Sequence, residues 1–302
     1  MSRREFEAPA RLVRALGHAP DAAREDAAGW PAKVPDLVEE VTARLGLSVE
    51  RVQLPGGRSS VVVLVRRPDG TPAALKLAPP GAHPEREAAA LAHWDGHGAC
   101  LLLDASVPGA LLLERLQPDV TLRSLPEAKA LLEAAGTVRR LWVEPPAEHG
   151  FAYVAERTEA PAAAMATVDD EIRPLATAAL DARAELLAEP AEQLLLHGEF
   201  HQGKVLAGER THWLAVGPVP VVGERAYELA RPALDRLDDL VASSSGASTA
   251  RRRVGRLADS LDVDRDRLRG WTLFRAVDDA LVSLREGRRS RAELLLEFAA
   301  WL

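Results

Sequence analysis

Between residues 194 and 222 the chain leaves an unbroken apolar run, Leu194-Leu195-Leu196, for a polar loop, and returns through two short apolar stretches. The loop, His197-Gly198-Glu199-Phe200-His201-Gln202-Gly203-Lys204, gathers two histidines, a carboxylate and a lysine in eight residues. Val205-Leu206 and Trp213-Leu214-Ala215-Val216 follow, and Gly217-Pro218 reads as a turn. Short apolar runs bounded by Gly and Pro are strand signals. Strand, polar loop, strand and Gly-containing turn is the layout that presents a catalytic loop and a metal loop side by side. The rest of the chain is read around that stretch.

Upstream, Val34, Leu37, Val38, Val41, Leu45 and Leu47 recur at helical spacing. Pro55-Gly56-Gly57 marks a turn, residues 59–67 read as a Val-rich strand, and Asp69-Gly70 signals a hairpin into a second strand over 73–77. Pro84 opens a helix to about residue 94, with Glu85 and Glu87 in its first turns. Residues 101–103 and 110–113 form a strand pair around Pro108-Gly109, which completes a small α+β unit. Beyond residue 116 helices dominate, over 124–142, from 171 to just before Pro190, and over 227–241, 249–261, 264–284 and 291–302. Pro232 should kink or restart its helix, residues 145–161 are broken by Pro and Gly, and 243–246 read as a loop. Residues 1–22 read as a short amphipathic helix or an arm. The expected division is an N-terminal arm over 1–29, a small strand-rich lobe over 30–116, and a larger helical lobe over 117–302 carrying the polar loop.

A chain of 302 residues suffices for one large two-lobed domain or two modest ones. Its net charge of −7 argues against nucleic acid, whose phosphates call for basic patches. Four of the 38 basic residues are lysines, so Lys76 and Lys204 stand out among them. The lone cysteine, Cys100, cannot form an internal disulfide, and a reducing cytosol is the expected compartment. No segment reaches the roughly 18 apolar residues a membrane span requires. The Arg-flanked start is interrupted by Arg14, His18 and Pro20 and is not read as a signal peptide. The expectation is a cytoplasmic protein with no membrane or nucleic-acid partner.

Several stretches then line up in one order. Pro55-Gly56-Gly57-Arg58-Ser59-Ser60 is followed by ALKLAPPGAHPEREAAAL, GALLLERL, LLLHGEFHQGKVL, WLAVGPVPVVGERAYELA and RLRGWTLFRAV. Taken together, from about residue 30 to 284, they resemble the aminoglycoside and hydroxyurea antibiotic-resistance kinases of bacteria, the streptomycin 6-phosphotransferase group. That resemblance implies an α+β, protein-kinase-like two-lobe fold of the aminoglycoside phosphotransferase type. It implies a phosphate-covering loop at Ser59, a strand lysine at Lys76 paired with a helix glutamate at Glu87, and adenine contacts from the backbone of Glu114 and Leu116.

In kinases of this frame a loop Asp accepts the substrate proton, and an Asn five residues on and a second Asp after the next strand pair hold Mg²⁺. The matching positions here are Glu199, Lys204 and Gly217. Glu199 keeps the carboxylate but adds a methylene, and a misplacement of about 1 Å in a base can cost about a hundredfold. Lys204 offers no oxygen to a metal and brings a positive charge, while Gly217 offers no side chain. These changes are wrong for Mg²⁺ and favourable for holding an anion directly, with Lys204 as a point charge; the rival is that Lys204 pairs with Glu199 and closes the site. Glu224 matches a second acidic position and is expected to be engaged structurally. His197 is expected to brace the loop backbone, and His201 and His212 have no Cys or carboxylate set to complete a zinc site.

Three functions follow from that mismatch. The first is a degenerate small-molecule kinase, a pseudokinase, which binds ATP, another nucleotide or another anionic small molecule without magnesium, or regulates a protein partner. The alternative is an active ATP-dependent phosphotransferase on a hydroxyl of an aminoglycoside-like molecule. The third is an old kinase cleft turned to other acid–base chemistry by Glu199 and a Lys204 whose pKa burial depresses.

Overall fold

In the computed structural model, which describes residues 6–18, 24, 25, 27–238 and 246–302, the chain divides into two compact units. One comprises residues up to Thr121 together with Leu206–Val216; the other comprises Leu122–Val205 and Gly217–Leu302.

The first unit is built on a five-stranded antiparallel sheet. Its strands are β1 (Ser48–Val52), β2 (Val61–Arg66), β3 (Pro72–Leu77), β4 (Leu102–Asp104) and β5 (Ala110–Glu114), in the order β1-β2-β3-β5-β4. The Val-rich β2 and the apolar β3 sit in the middle because both of their faces find cover. Val61, Val63, Val65, Ala73 and Leu75 are fully buried in one core with Val34 and Val38 of helix α2 (Trp30–Leu45) and Leu12 of helix α1 (Ala10–Gly17). Helix α3 (Pro84–Trp94) starts on the proline at its first turn and ends at Asp95. β1 had no sequence signal: Ser-Val-Glu-Arg-Val carries charge on an edge strand, where exposed polar side chains belong.

A second sheet explains where the unit boundary falls. Strand β6 (Gln117–Thr121) pairs with β9 (Val205–Ala207), which pairs with β10 (Trp213–Ala215). Residues 117–121 and 206–216 therefore join the first unit, and the expected cut at 116/117 differs from the observed division at both places. A single cut along the chain cannot represent a hairpin that returns.

The second unit is helical around a small sheet in the order β7-β11-β8, made of β7 (Ala152–Tyr153), β8 (Leu194–Leu196) and β11 (Val221–Gly223). β11 runs parallel to β7 and antiparallel to β8. Its helices are α4 (Glu127–Leu141), α5 (Val154–Arg157), α6 (Glu159–Met165), α7 (Arg173–Ala188), α8 (Arg225–Ala233), α9 (Gly246–Leu261), α10 (Arg265–Arg285) and α11 (Arg289–Ala300). α10 lies against α7, α8, α9 and α11, with Leu268, Trp271, Phe274 and Val277 buried. Asp264 caps its start by accepting from the Arg267 amide at 2.8 Å.

Several ends move from their expected places. α4 starts at Glu127 because Pro126 precedes it, and α9 starts at Gly246, so 246 is helix and not loop. α8 stops one residue past Pro232, as a proline inside a helix requires. Residues 234–236 form a turn and 237–238 are helical again, the kink or restart expected at Pro232; residues 239–241 and the expected loop at 243–245 lie outside the described residues. The stretch 145–161 holds β7, α5 and the start of α6 behind its Pro and Gly signals. Among the described residues no helix is long and apolar enough to cross a membrane. Cys100 is buried, and burial, with Glu87 nearby, pushes its thiol up to about 12.

Candidate functional site

In the first unit the sheet carries one buried cation. Lys76 lies on β3 between Val62 of β2 and Leu111 of β5, and it is 8% exposed. Glu87 on α3, 5% exposed, forms an ion pair with its amine. Burying one of these charges alone would cost several kcal/mol, so each requires the other. Glu87 Oε1 is buried and makes no hydrogen bond, which leaves an acceptor in place beside the ammonium. Ser59 is exposed on the loop joining β1 to β2, and Leu116 is buried. The Glu114 carboxylate accepts from the Leu101 amide at 3.0 Å and from Arg210 Nη2 at 3.1 Å, while its own N–H donates to Leu101 O at 2.9 Å.

In the second unit the polar loop leaves the end of β8 and is pinned by its backbone. Gly198 has φ +79°, and a Cβ there would lie 2.0 Å from Val219 O, so no other residue fits. The buried Glu228 of α8 accepts from the His197 amide at 2.6 Å and the Gly198 amide at 3.1 Å. Burial pushes the Glu228 carboxyl up to about 7, against the pull of Arg275 and the backbone donors. His197 is fully buried and braces the loop as expected: its Nδ1 accepts from the Glu199 amide at 3.3 Å and its carbonyl from the Val219 amide at 2.9 Å. Asp235 accepts from the Gln202 amide at 2.9 Å.

Glu199 sits at the focus of three arginines. Its carboxylate is 3.3 Å from Arg231 Nε, 3.6 Å from Arg275 Nη1 and 3.8 Å from Arg157 Nη2. Burial alone would raise its pKa, but Arg275, Arg231, Lys204 and Arg157 outweigh burial and hold the carboxyl far below the usual range. Arg275 is itself fixed, donating to Gly198 O at 2.8 Å and lying 4.2 Å over the Tyr227 ring. Arg231 also pairs with Asp279. A general base works best with a pKa near the operating pH. A carboxylate held so far below it is a weak proton acceptor.

The Lys204 amine reaches a backbone carbonyl, and its charge also helps hold Glu199 ionised. The amine donates to the Gly217 carbonyl at 2.7 Å, and the close ion pairs of Glu199 are with arginines. Gly217 has φ +64°, which presents its backbone and no side chain to that amine. No group of three or more His, Cys, Asp or Glu side chains among the described residues is arranged to hold a metal ion. Glu224 is engaged structurally, as expected: it is buried and accepts from the Trp271 indole and from Arg267 at 3.0 Å.

His201 supplies a test of this electrostatic setting. Burial, with Arg231 and Lys204 nearby, pushes its imidazole down to about 3, and the neutral ring accepts from the Gly203 amide at 3.0 Å. An unfolded histidine gains a proton below about 6.5, whereas the folded one does not until about 3. Stability is therefore lost as pH falls from the first value toward the second. His201→Asn keeps an acceptor for Gly203 without titrating. Its melting temperature should drop less than the parent's between about pH 7 and pH 5, measured by calorimetry; parallel slopes would refute the argument.

Glu228, Arg157, Arg231 and Arg275 were not singled out from the sequence. Three of the four lie inside or beside the stretches GERAYELA and RLRGWTLFRAV, yet nothing local marks one arginine among so many as the partner of a distant carboxylate.

A strand lysine paired with a helix glutamate, and an HG-carboxylate loop leaving a short strand, define a protein-kinase-like phosphotransferase fold. Solved structures agree. The chain is similar to aminoglycoside phosphotransferase APH(4)-Ia in ternary complex with ADP and hygromycin B, with a TM-score of 0.59, 19% identity, and coverage of 87% of this chain and 96% of that one. It is also similar to choline kinase LicA from Streptococcus pneumoniae, with a TM-score of 0.60, 10% identity, and coverage of 88% and 98%. The chain belongs to the aminoglycoside/hydroxyurea antibiotic resistance kinase family, which it matches over residues 45–287. A streptomycin 6-kinase of Streptomyces glaucescens is 37% identical over 271 residues, 87% of each chain. A hydroxyurea phosphotransferase of Kitasatospora aureofaciens is 37% identical over 290 residues, 93% of this chain and 81% of that one.

Proposed function

We propose that this member of the family keeps the kinase frame as a binding device and has given up efficient metal-assisted transfer. Its ligand is ATP, another nucleotide, or another anionic small molecule, and its role is binding or the regulation of a partner. One observation carries this reading: the Lys204 amine lies 2.7 Å from the Gly217 carbonyl, joining the two positions where a kinase of this frame holds its metal. Magnesium is the normal partner of such kinases, and these residues do not fit it. Lysine has no oxygen to donate, its charge repels the ion, and Gly217 has no carboxylate. The sequestered Glu199 points the same way.

A second reading has support of a different kind. Kinship with proteins named as streptomycin 6-kinase and hydroxyurea phosphotransferase, over most of the chain, favours an active ATP-dependent phosphotransferase acting on a small molecule. That kinship supports the active reading more directly than it supports the first. The geometry does not favour acid–base chemistry through Glu199 and Lys204, since the carboxyl is held far down by arginines and the amine is drawn to a carbonyl.

Melting the protein with ATP in EDTA and in Mg²⁺, alongside an ADP-release assay with streptomycin and with hydroxyurea, separates the two. A ligand at a hundredfold its Kd adds about 2.7 kcal/mol of stability, an easily read shift. The first reading expects an equal shift in EDTA and Mg²⁺ with no ADP released. Magnesium-dependent ADP release would establish the second.

A further inference from the structure

Away from the polar loop, helices α4 and α9 of the second unit leave a groove between them, with a cavity volume of about 560 Å³. Its apolar lining is Leu131, Leu132 and Ala135 from α4, and Leu257 from α9. Leu132 is 71% exposed, the most exposed large apolar side chain among the described residues. The rest of the lining is cationic. Arg139, Arg252, Arg253 and Arg256 line the groove, against a single carboxylate, Glu127. That carboxylate is already paired with Arg253, which also donates to the Asp235 carbonyl. Arg139 donates to the Ser260 carbonyl at 2.9 Å, and Arg252 to the Thr249 hydroxyl at 3.2 Å. Arg256 is exposed and has no ion-pair partner among the described residues. This excess of guanidinium over carboxylate stands against the −7 net charge of the whole chain.

We propose that this groove is a binding site for a small anionic amphiphile, a carboxylate or sulfonate carried on a compact apolar body. The apolar lining would bury the body, at roughly 25 cal/mol for each Å² removed from water. Arg252 and Arg256 would receive the head as charge-assisted hydrogen bonds. Size favours a small molecule over a partner helix. The bridges from Arg253 to Glu127 and from Arg139 to Ser260 tie α4 to α9 near both ends of the groove. The α4 face from Ala128 to Gly136 spans about 12 Å at 1.5 Å per residue, some two turns of a helix. The volume falls in the range of small-molecule pockets, about 300–1,000 Å³.

The test uses the full chain and anilinonaphthalene sulfonate as a fluorescent anionic probe, with decanoate and decyltrimethylammonium as competitors. One saturable site is expected, displaced by decanoate and not by the cation. Arg256→Glu and Leu132→Glu change exposed residues, so each variant should melt like the parent while binding the probe at least about tenfold more weakly, the scale of one lost charge-assisted contact. Unchanged binding in both variants, equal displacement by the cation, or displacement by an acidic peptide but not by decanoate would overturn the proposal. The site does not depend on the nucleotide reading, and these variants should leave ATP-induced melting shifts as they are.

Discussion

Replacing Lys204 by Asn and Gly217 by Asp together is expected to make nucleotide binding depend on a divalent ion and to raise ATP turnover at least about tenfold in Mg²⁺. The expected size follows from charge. Metal neutralisation of a developing phosphoryl charge is worth several kcal/mol, and each 1.36 kcal/mol off the barrier is about tenfold in rate. Neither single change should suffice. Gly217→Asp alone would place its new carboxylate beside the Lys204 ammonium, which already lies 2.7 Å from that backbone, and would form an ion pair with it in place of a metal site. Lys204→Asn alone would supply one neutral oxygen and no bridging carboxylate. Gly217 has φ +64°, a conformation that Asp tolerates better than most residues at a cost of about 1 kcal/mol, so the double variant should fold. Turnover should still stay well below that of a kinase with a free base, because Arg231 and Arg275 continue to hold Glu199 down. ADP release measured in Mg²⁺ and in EDTA checks both halves. A parent that already turns over ATP in Mg²⁺, with no gain in the double variant, would sink the proposed loss of the metal site.

The same residues show what the sequence made legible. An ammonium on an apolar strand demands a counter-charge, the family resemblance names Glu87 as the partner of Lys76, and α3 begins at Pro84 and ends at Trp94 where local signals put it. The loop after β8 was likewise visible, since Gly and polar residues interrupt an apolar run. The partners of its side chains were not. Arg231 and Arg275 reach Glu199 from α8 and α10, and which arginine meets which carboxylate is decided by helix packing, which leaves no trace in local spacing. Lys204 was expected to find either a ligand anion or Glu199; a backbone carbonyl at Gly217 is a partner that no side-chain pattern announces. The return of residues 206–216 to the first unit is invisible for a related reason, because strand pairing between distant segments depends on register and not on composition.

The largest effect on stability is expected at Glu224, where Glu224→Ala should cost about 3–5 kcal/mol. Its carboxylate is 4% exposed and stands at the start of α8, where it accepts from the Trp271 indole and from Arg267, both on α10. Arg267 also donates to the Leu186 carbonyl at 2.9 Å, so one carboxylate draws α7, α8 and α10 together. Alanine would leave a half-buried guanidinium without its closest counter-charge and an indole N–H without an acceptor, and the deficit comes mainly from those stranded donors. Glu224→Gln keeps one acceptor oxygen and should cost less, roughly 1–3 kcal/mol. Adding Arg267→Met to Glu224→Ala should recover part of the loss, because it removes the uncompensated charge and leaves apolar bulk against α7. Domains of this kind hold only about 5–15 kcal/mol in total, so Glu224→Ala should visibly shift the urea midpoint and the second unit should lose its cooperativity first. A Glu224→Ala protein within about 1 kcal/mol of the parent would mean that water reaches Arg267 and Trp271, and that the three helices are held by their apolar contacts alone.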